Sequence, residues 1–156
     1  MTKTLIKILI FLIITSGCGY KVLKYSELSK FEINKIEVTG NNEINFKIKR
    51  KLNSLSEAGS VNKIDIYLDT TKNKYVKEKD SKNEVSKYQI DIVAKLKITS
   101  TNNKNILNFS IKKTSDFIVD SKQSKTYETE KKITDLLIDQ TLDEIVDKLL
   151  LELNDI

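Results

Sequence analysis

Tyr88-Gln89-Ile90-Asp91-Ile92-Val93-Ala94-Lys95-Leu96-Lys97-Ile98 reads as a β-strand with one dry face and one wet face. Tyr88, Ile90, Ile92, Ala94, Leu96 and Ile98 fall on one side. Gln89, Asp91, Lys95 and Lys97 fall on the other, with Val93 the apolar exception. Side chains alternate across a strand, so period-two patterning of this length marks a sheet packed on one face only. Ser100-Thr101-Asn102-Asn103 has the composition of a hairpin turn. A strand returns from Ile106 to Thr114, with Leu107, Phe109 and Ile111 in register, and extends toward Phe117, Ile118 and Val119. Upstream, Ile64, Ile66 and Leu68 alternate with Lys63, Asp65, Tyr67 and Asp69, which gives another strand.

Further out the period changes. Phe31, Ile33, Ile36 and Val38 mark a first strand whose alternation slips between Ile33 and Ile36, as one inserted residue would produce. Gly40-Asn41-Asn42 is a turn, and either Asn can cap a helix starting just after it. Ile44, Ile48, Leu52 and Leu55 then recur at helical spacing over residues 43–55, with Lys47, Lys49, Arg50 and Lys51 mostly on the other side. Gly59 suits a left-handed cap at the end of that helix. Residues 70–87 are so polar that they read as the end of a long strand plus a hairpin loop, or as loop throughout. A long helix closes the chain from about Thr126 to Leu153. Ile138, Leu142, Ile145 and Leu149 lie along its apolar line, Leu137, Val146 and Leu150 widen the stripe, and Ile133 and Leu136 start it.

The expected fold is therefore α+β. It is a two-layer sandwich in the order β-α-β-β-β-α, with a four-stranded, mostly antiparallel sheet and both helices on one face. The opposite sheet face is left for a partner.

Ahead of this domain, Lys3 and Lys7 precede the apolar run Ile8-Leu9-Ile10-Phe11-Leu12-Ile13-Ile14, followed by Thr15-Ser16-Gly17-Cys18. A positive start, a short greasy core, small residues and then cysteine make up a lipoprotein signal. The run is shorter than the roughly 20 apolar residues of a membrane span. Three segments result: 1–17 as signal peptide, 18–30 as a lipidated tether and 31–156 as one α+β domain, enough for one core. Cys18 is the only cysteine, so acylation there leaves no disulfide and places the protein at a membrane surface.

Composition removes several classes of function. With no histidine, the commonest general base and metal ligand is missing, and only four glycines are present, none forming a phosphate-cradling loop. Asp135, Asp139 and Asp143 align at spacing four, which reads as a solvated acidic face rather than a cation site. No catalytic residue, metal ligand or cofactor site is expected, and the chain is not read as an enzyme. Net charge is +5, and +3 once Lys3 and Lys7 leave with the signal, too modest an excess to imply nucleic acid.

Cys18-Gly19-Tyr20, followed by Leu23 and Tyr25, resembles the mature start of the lipopolysaccharide-assembly lipoprotein E family. The helix after the first strand, the alternating strand pair and the long terminal helix are similar to that family as well. The resemblance implies a protein on the periplasmic face of the outer membrane, lipid-anchored and palmitoylated at Cys18. It would plug a β-barrel lipopolysaccharide translocon, support its assembly and aid delivery of lipopolysaccharide to the outer leaflet. The implied partners are that barrel, lipopolysaccharide and the outer membrane itself. Lys95, Lys97 and Lys104 are the candidate contacts for lipid A phosphates, with a plain solvated strand face as the alternative. Two other functions stay open: an accessory lipoprotein of an ABC-type envelope lipid-transport system, and a structural envelope lipoprotein without cargo.

Overall fold

The computed structural model describes residues 31–100 and 106–154, and in it the alternating stretch runs through the middle of a sheet. The elements are β1 (Phe31–Gly40), α1 (Asn42–Leu55), β2 (Asn62–Lys79), β3 (Val85–Ser100), β4 (Ile106–Ile118) and α2 (Gln123–Asn154), in the order expected. The strands lie side by side as β1-β2-β3-β4. β2, β3 and β4 pair antiparallel, whereas β1 and β2 are parallel. The sheet is thus mixed rather than mostly antiparallel. The cause is α1: it carries the chain back along the sheet before β2 starts, and parallel neighbours require such a crossover.

Local chemistry explains the boundaries. The register of β1 against β2 shifts between Ile33 and Lys35, the bulge expected from the slipped alternation. The Asn41 side-chain oxygen accepts the Ile44 N–H at 3.1 Å and caps α1. At the other end, α1 stops at Leu55 with an extended Ser56 as its cap. Gly59 is therefore not the helix cap; it sits in the following turn at φ +83, donating its N–H to Glu32 Oε2 at 3.0 Å. Gly40 is the glycine under real constraint: at φ +90, a Cβ there would lie 1.9 Å from the Thr70 carbonyl oxygen. That same oxygen accepts the Asn41 N–H at 2.9 Å, so β1, α1 and β2 are locked together where β1 turns into α1. Buried Asn45 completes the lock, donating to the Thr39 carbonyl (2.9 Å) and accepting from the Thr70 hydroxyl (2.8 Å).

Of the two readings of residues 70–87, the structure has the first, a long strand ending in a hairpin turn. β2 runs on to Lys79, and a turn at residues 80–84, with Asn83 at φ 64, leads into β3. Asp80 Oδ1 accepts the N–H groups of Lys82 and Glu84 at 2.9 Å each, which tightens the turn. Because β1 ends opposite Thr70, residues 71–79 have β3 as their only strand neighbour among the described residues.

Both helices cover one face of the sheet. Ile44, Ile48 and Leu52 of α1 and Leu137, Ile138, Ile145, Val146 and Leu149 of α2 bury against Ile64, Ile66, Leu68, Ile90, Ile92, Leu96 and Ile111. Leu136 departs from expectation: it lies half exposed, beside the apolar line rather than on it. Buried Thr134 and Thr141 satisfy their hydroxyls on the carbonyls of Glu130 and Leu137, one turn earlier.

Candidate functional site

The sheet face away from the helices is the surface on which the candidate lysines sit. Strand pairing sets their surroundings: Lys95 lies opposite Asp69 of β2 and Ser110 of β4, and Lys97 lies opposite Tyr67 and Asn108. Lys95, Lys97, Tyr67, Asp69 and Asn108, together with Glu37 of β1, line a shallow depression of about 210 Å³. Lys104 and Cys18 lie outside the described residues, as do the signal and tether segments.

Charge is divided across this face. On the β1–β2 side, Glu37 is ion-paired to Lys35 within its own strand, and Asp69 Oδ1 accepts the Thr39 hydroxyl at 2.9 Å. Glu32 meets Lys63 at 3.5 Å, and Asp65 Oδ1 accepts from the Asn34 amide at 2.8 Å. On the β3 side, Lys95 and Lys97 have no ion pair among the described residues, and both are exposed. Two free ammonium groups, an aromatic ring and hydrogen-bonding Asn108 and Asp69 can receive a phosphorylated sugar: the ammoniums meet phosphate, the amide and carboxylate meet hydroxyls, and the ring covers a sugar face.

One polar group on this face is not on its wet surface. The alternation puts Asp91 among the solvated residues, yet it is only 5% exposed. Lys112 Nζ of β4 lies 2.6 Å from Asp91 Oδ2, while the Gln89 amide (2.9 Å) and the Thr114 hydroxyl (3.0 Å) donate to Oδ1. The hydrogen bond from Lys112 leads in holding this carboxyl below the usual carboxylate range, against the desolvation that would raise it. Lys112 is thereby tied down, while Lys95 and Lys97 stay free beside the depression. Nothing in the alternation marks Asp91 as buried; the signal is Lys112, diagonal to it in the opposing strand.

The helical face has its own groove, about 550 Å³ in volume, between α1 and α2. Phe46, Arg50 and Lys51 of α1 and Asp139 and Leu142 of α2 line it, and Lys47 bridges the helices through Asp135. Of the aligned aspartates, Asp135 is thus held by a lysine, and no group of His, Cys, Asp or Glu among the described residues is arranged to hold a metal ion. No helix among the described residues is long and apolar enough to cross a membrane.

No family model matches the chain, and no curated protein matches it in sequence. The fold does match solved structures. The rare lipoprotein B from Shewanella oneidensis superposes with a TM-score of 0.56 at 16% identity, over 74% of this chain and 93% of that one. An uncharacterized lipoprotein B from Nitrosomonas europaea gives 0.58 at 11% identity, over 79% and 86%. A minor lipoprotein from Acinetobacter baumannii gives 0.54 at 9% identity, over 80% and 94%. At such identities the likeness establishes a shared fold, a two-layer α+β domain of the kind these bacterial lipoproteins carry.

Proposed function

We propose that this chain is a lipoprotein of the bacterial envelope, anchored through Cys18 to the periplasmic face of the outer membrane. There it plugs and supports assembly of a β-barrel lipopolysaccharide translocon and aids delivery of lipopolysaccharide to the outer leaflet. The observation that carries the reading is a conjunction: a lipoprotein signal ending in Cys18-Gly19-Tyr20, joined to a fold shared with three bacterial lipoproteins. The open sheet face supports the finer part. Lys95 and Lys97 stand free beside Tyr67 and Asn108, chemistry suited to a phosphorylated glycolipid.

The test is purification of the natural protein from membranes with its neighbours. Mass spectrometry should find residue 18 as an acylated N-terminus, and a very large β-barrel should co-purify. An unmodified Cys18 thiol overturns the anchor. Co-purification with an inner-membrane permease instead of a barrel overturns the translocon role and favours an ABC-type transport system. Depletion that leaves surface lipopolysaccharide unchanged also refutes the delivery role.

A further inference from the structure

Asp91 is the only charged side chain buried among the described residues, and it lies on the open sheet face, further along β3 from the depression. Burying a carboxylate is costly unless charge and hydrogen bonds answer it. Gln89 and Thr114 serve its Oδ1, and Lys112 serves its Oδ2. Along this face, Lys95, Val93 and Asp91 of β3 stand opposite Ser110, Lys112 and Thr114 of β4. Lys112 is therefore diagonal to Asp91 on one side and to Lys95 on the other, about 7–8 Å from each across the ladder. Its ammonium has two places to stand: on Asp91, or above Ser110 beside Lys95. Lys112 is 58% exposed, so pairing rather than packing decides between them. Asp91 is its only ion-pair partner among the described residues, and Val93 directly opposite offers none.

We propose that Asp91 determines specificity at the open face: by withholding Lys112 it leaves the depression two free ammoniums, so the site takes the singly phosphorylated part of a glycolipid and gains nothing from a second phosphate. This rests on the open-face reading given above and adds to it the number of phosphates recognised. A phosphate monoester carries about two negative charges at neutral pH, which the ammoniums of Lys95 and Lys97 balance. A second phosphate finds no third cation. Toward β1 and β2 it meets Glu37 and Asp69, carboxylates that line the same depression. Toward β4 it meets Ser110 and the place from which Asp91 keeps Lys112.

The test sets full-length protein against monophosphoryl and diphosphoryl lipid A in mild detergent micelles, by isothermal titration calorimetry. Circular dichroism confirms that each variant is folded. Wild type should bind the two lipids with similar affinity. Asp91→Asn releases Lys112 and should raise the preference for the diphosphoryl lipid about ten-fold, as one added charge-assisted hydrogen bond does. Asp91→Asn combined with Lys112→Gln should fall back to the wild-type ratio, and Lys112→Gln alone should keep that ratio. Ser110→Lys, an exposed change opposite Lys95 that leaves the Asp91 network in place, should raise the preference as Asp91→Asn does. It carries the test if Asp91→Asn does not fold. A wild type that already prefers the diphosphoryl lipid, a ratio unmoved by Asp91→Asn or by Ser110→Lys, or a rise that persists without Lys112 each overturn the proposal. Glucose 1-phosphate offers the same chemistry without the lipid, and its binding as tightly as the monophosphoryl lipid overturns the glycolipid as the ligand. Failure of the underlying reading looks different: charge reversal of Lys95 and Lys97 then leaves binding of both lipids unchanged, and the site falls together with its phosphate count.

Discussion

Replacing Gly40 with alanine should cost this protein about 3 kcal/mol, a loss made of two separable parts. The first is dihedral: at φ +90 an L-residue other than glycine is strained by about 1–2 kcal/mol. The second is steric. The new Cβ would stand 1.9 Å from the Thr70 carbonyl oxygen and 2.9 Å from its carbon, both backbone atoms that no rotamer change can clear. β1 and β2 must part at that point. Parting breaks the Asn41 N–H bond to the same oxygen and strains the Asn45–Thr70 bond, each worth about 1 kcal/mol net. Lower chain entropy in the unfolded state returns about 0.4–1 kcal/mol. Gly59→Ala supplies the control, since Gly59 has φ +83 but nothing within 4 Å of its added Cβ. It should show the dihedral part alone, about 1 kcal/mol. Thermal unfolding in mild detergent, followed by circular dichroism, should place Gly40→Ala about 12 °C below wild type and Gly59→Ala about 4 °C below. Equal shifts for the two variants would refute the steric lock between β1 and β2.

Three further outcomes rest on the same geometry. Charge reversal of Lys95 and Lys97 together should weaken lipopolysaccharide binding at low salt, with the difference from wild type shrinking as salt rises; unchanged low-salt binding removes the open face from the proposed function. Asp91→Asn should destabilise the fold by about 1–2 kcal/mol at pH 7, the exposed end of Lys112 limiting the loss. The folded Asp91 carboxyl sits below its unfolded value, so its contribution is complete above about pH 4 and fades as pH falls through the folded pKa. The gap between wild type and Asp91→Asn must therefore close in acid, and a gap that widens there contradicts the network described. Ile48→Ala, at a site with no exposure, should cost about 3 kcal/mol in urea unfolding, whereas Phe46→Ala one half-turn away should cost under about 0.5 kcal/mol.

The parts of the fold that were legible in sequence are those where burial and period coincide. β3 keeps its apolar residues, Val93 excepted, on one face for its whole buried length. In α1, Ile44, Ile48 and Leu52 are wholly buried at the spacing expected of them. The bulge near Ile33 and the Asn41 cap were readable too, because each leaves a local mark. What stayed open or escaped depends on distant partners. The outer half of β2 reads equally as strand or loop because its helix-side positions are Lys72 and Lys74, whose ammoniums answer Glu130 of α2, with Lys74 also 4.1 Å above the Tyr88 ring. Lysines that pack by their stems and pair at their tips imitate solvated residues in any window of sequence. Asp91 misleads for the same reason. At the site, the exposure of Lys95 and Lys97 was readable from alternation, whereas Tyr67, Glu37 and Asn108 join them only through strand order.

Residues 71–79 of β2 leave a backbone margin that no described strand closes. Such a margin is a seam onto which another polypeptide can knit itself, and repetition of that event makes fibres. The side chains along it include Lys72, Lys74, Lys77, Glu78 and Lys79, with the exposed Tyr75 and Val76 set among them. Of these lysines, Lys72 and Lys74 are engaged by Glu130 and Lys77 by Asp116, so their stems are pinned across the hairpin and crowd an approaching strand, which guards against polymerisation. Concentrated salt, which cuts the reach of charge to about 3 Å at 1 M, loosens those ion pairs, so gelation on salting is the particular hazard of this hairpin.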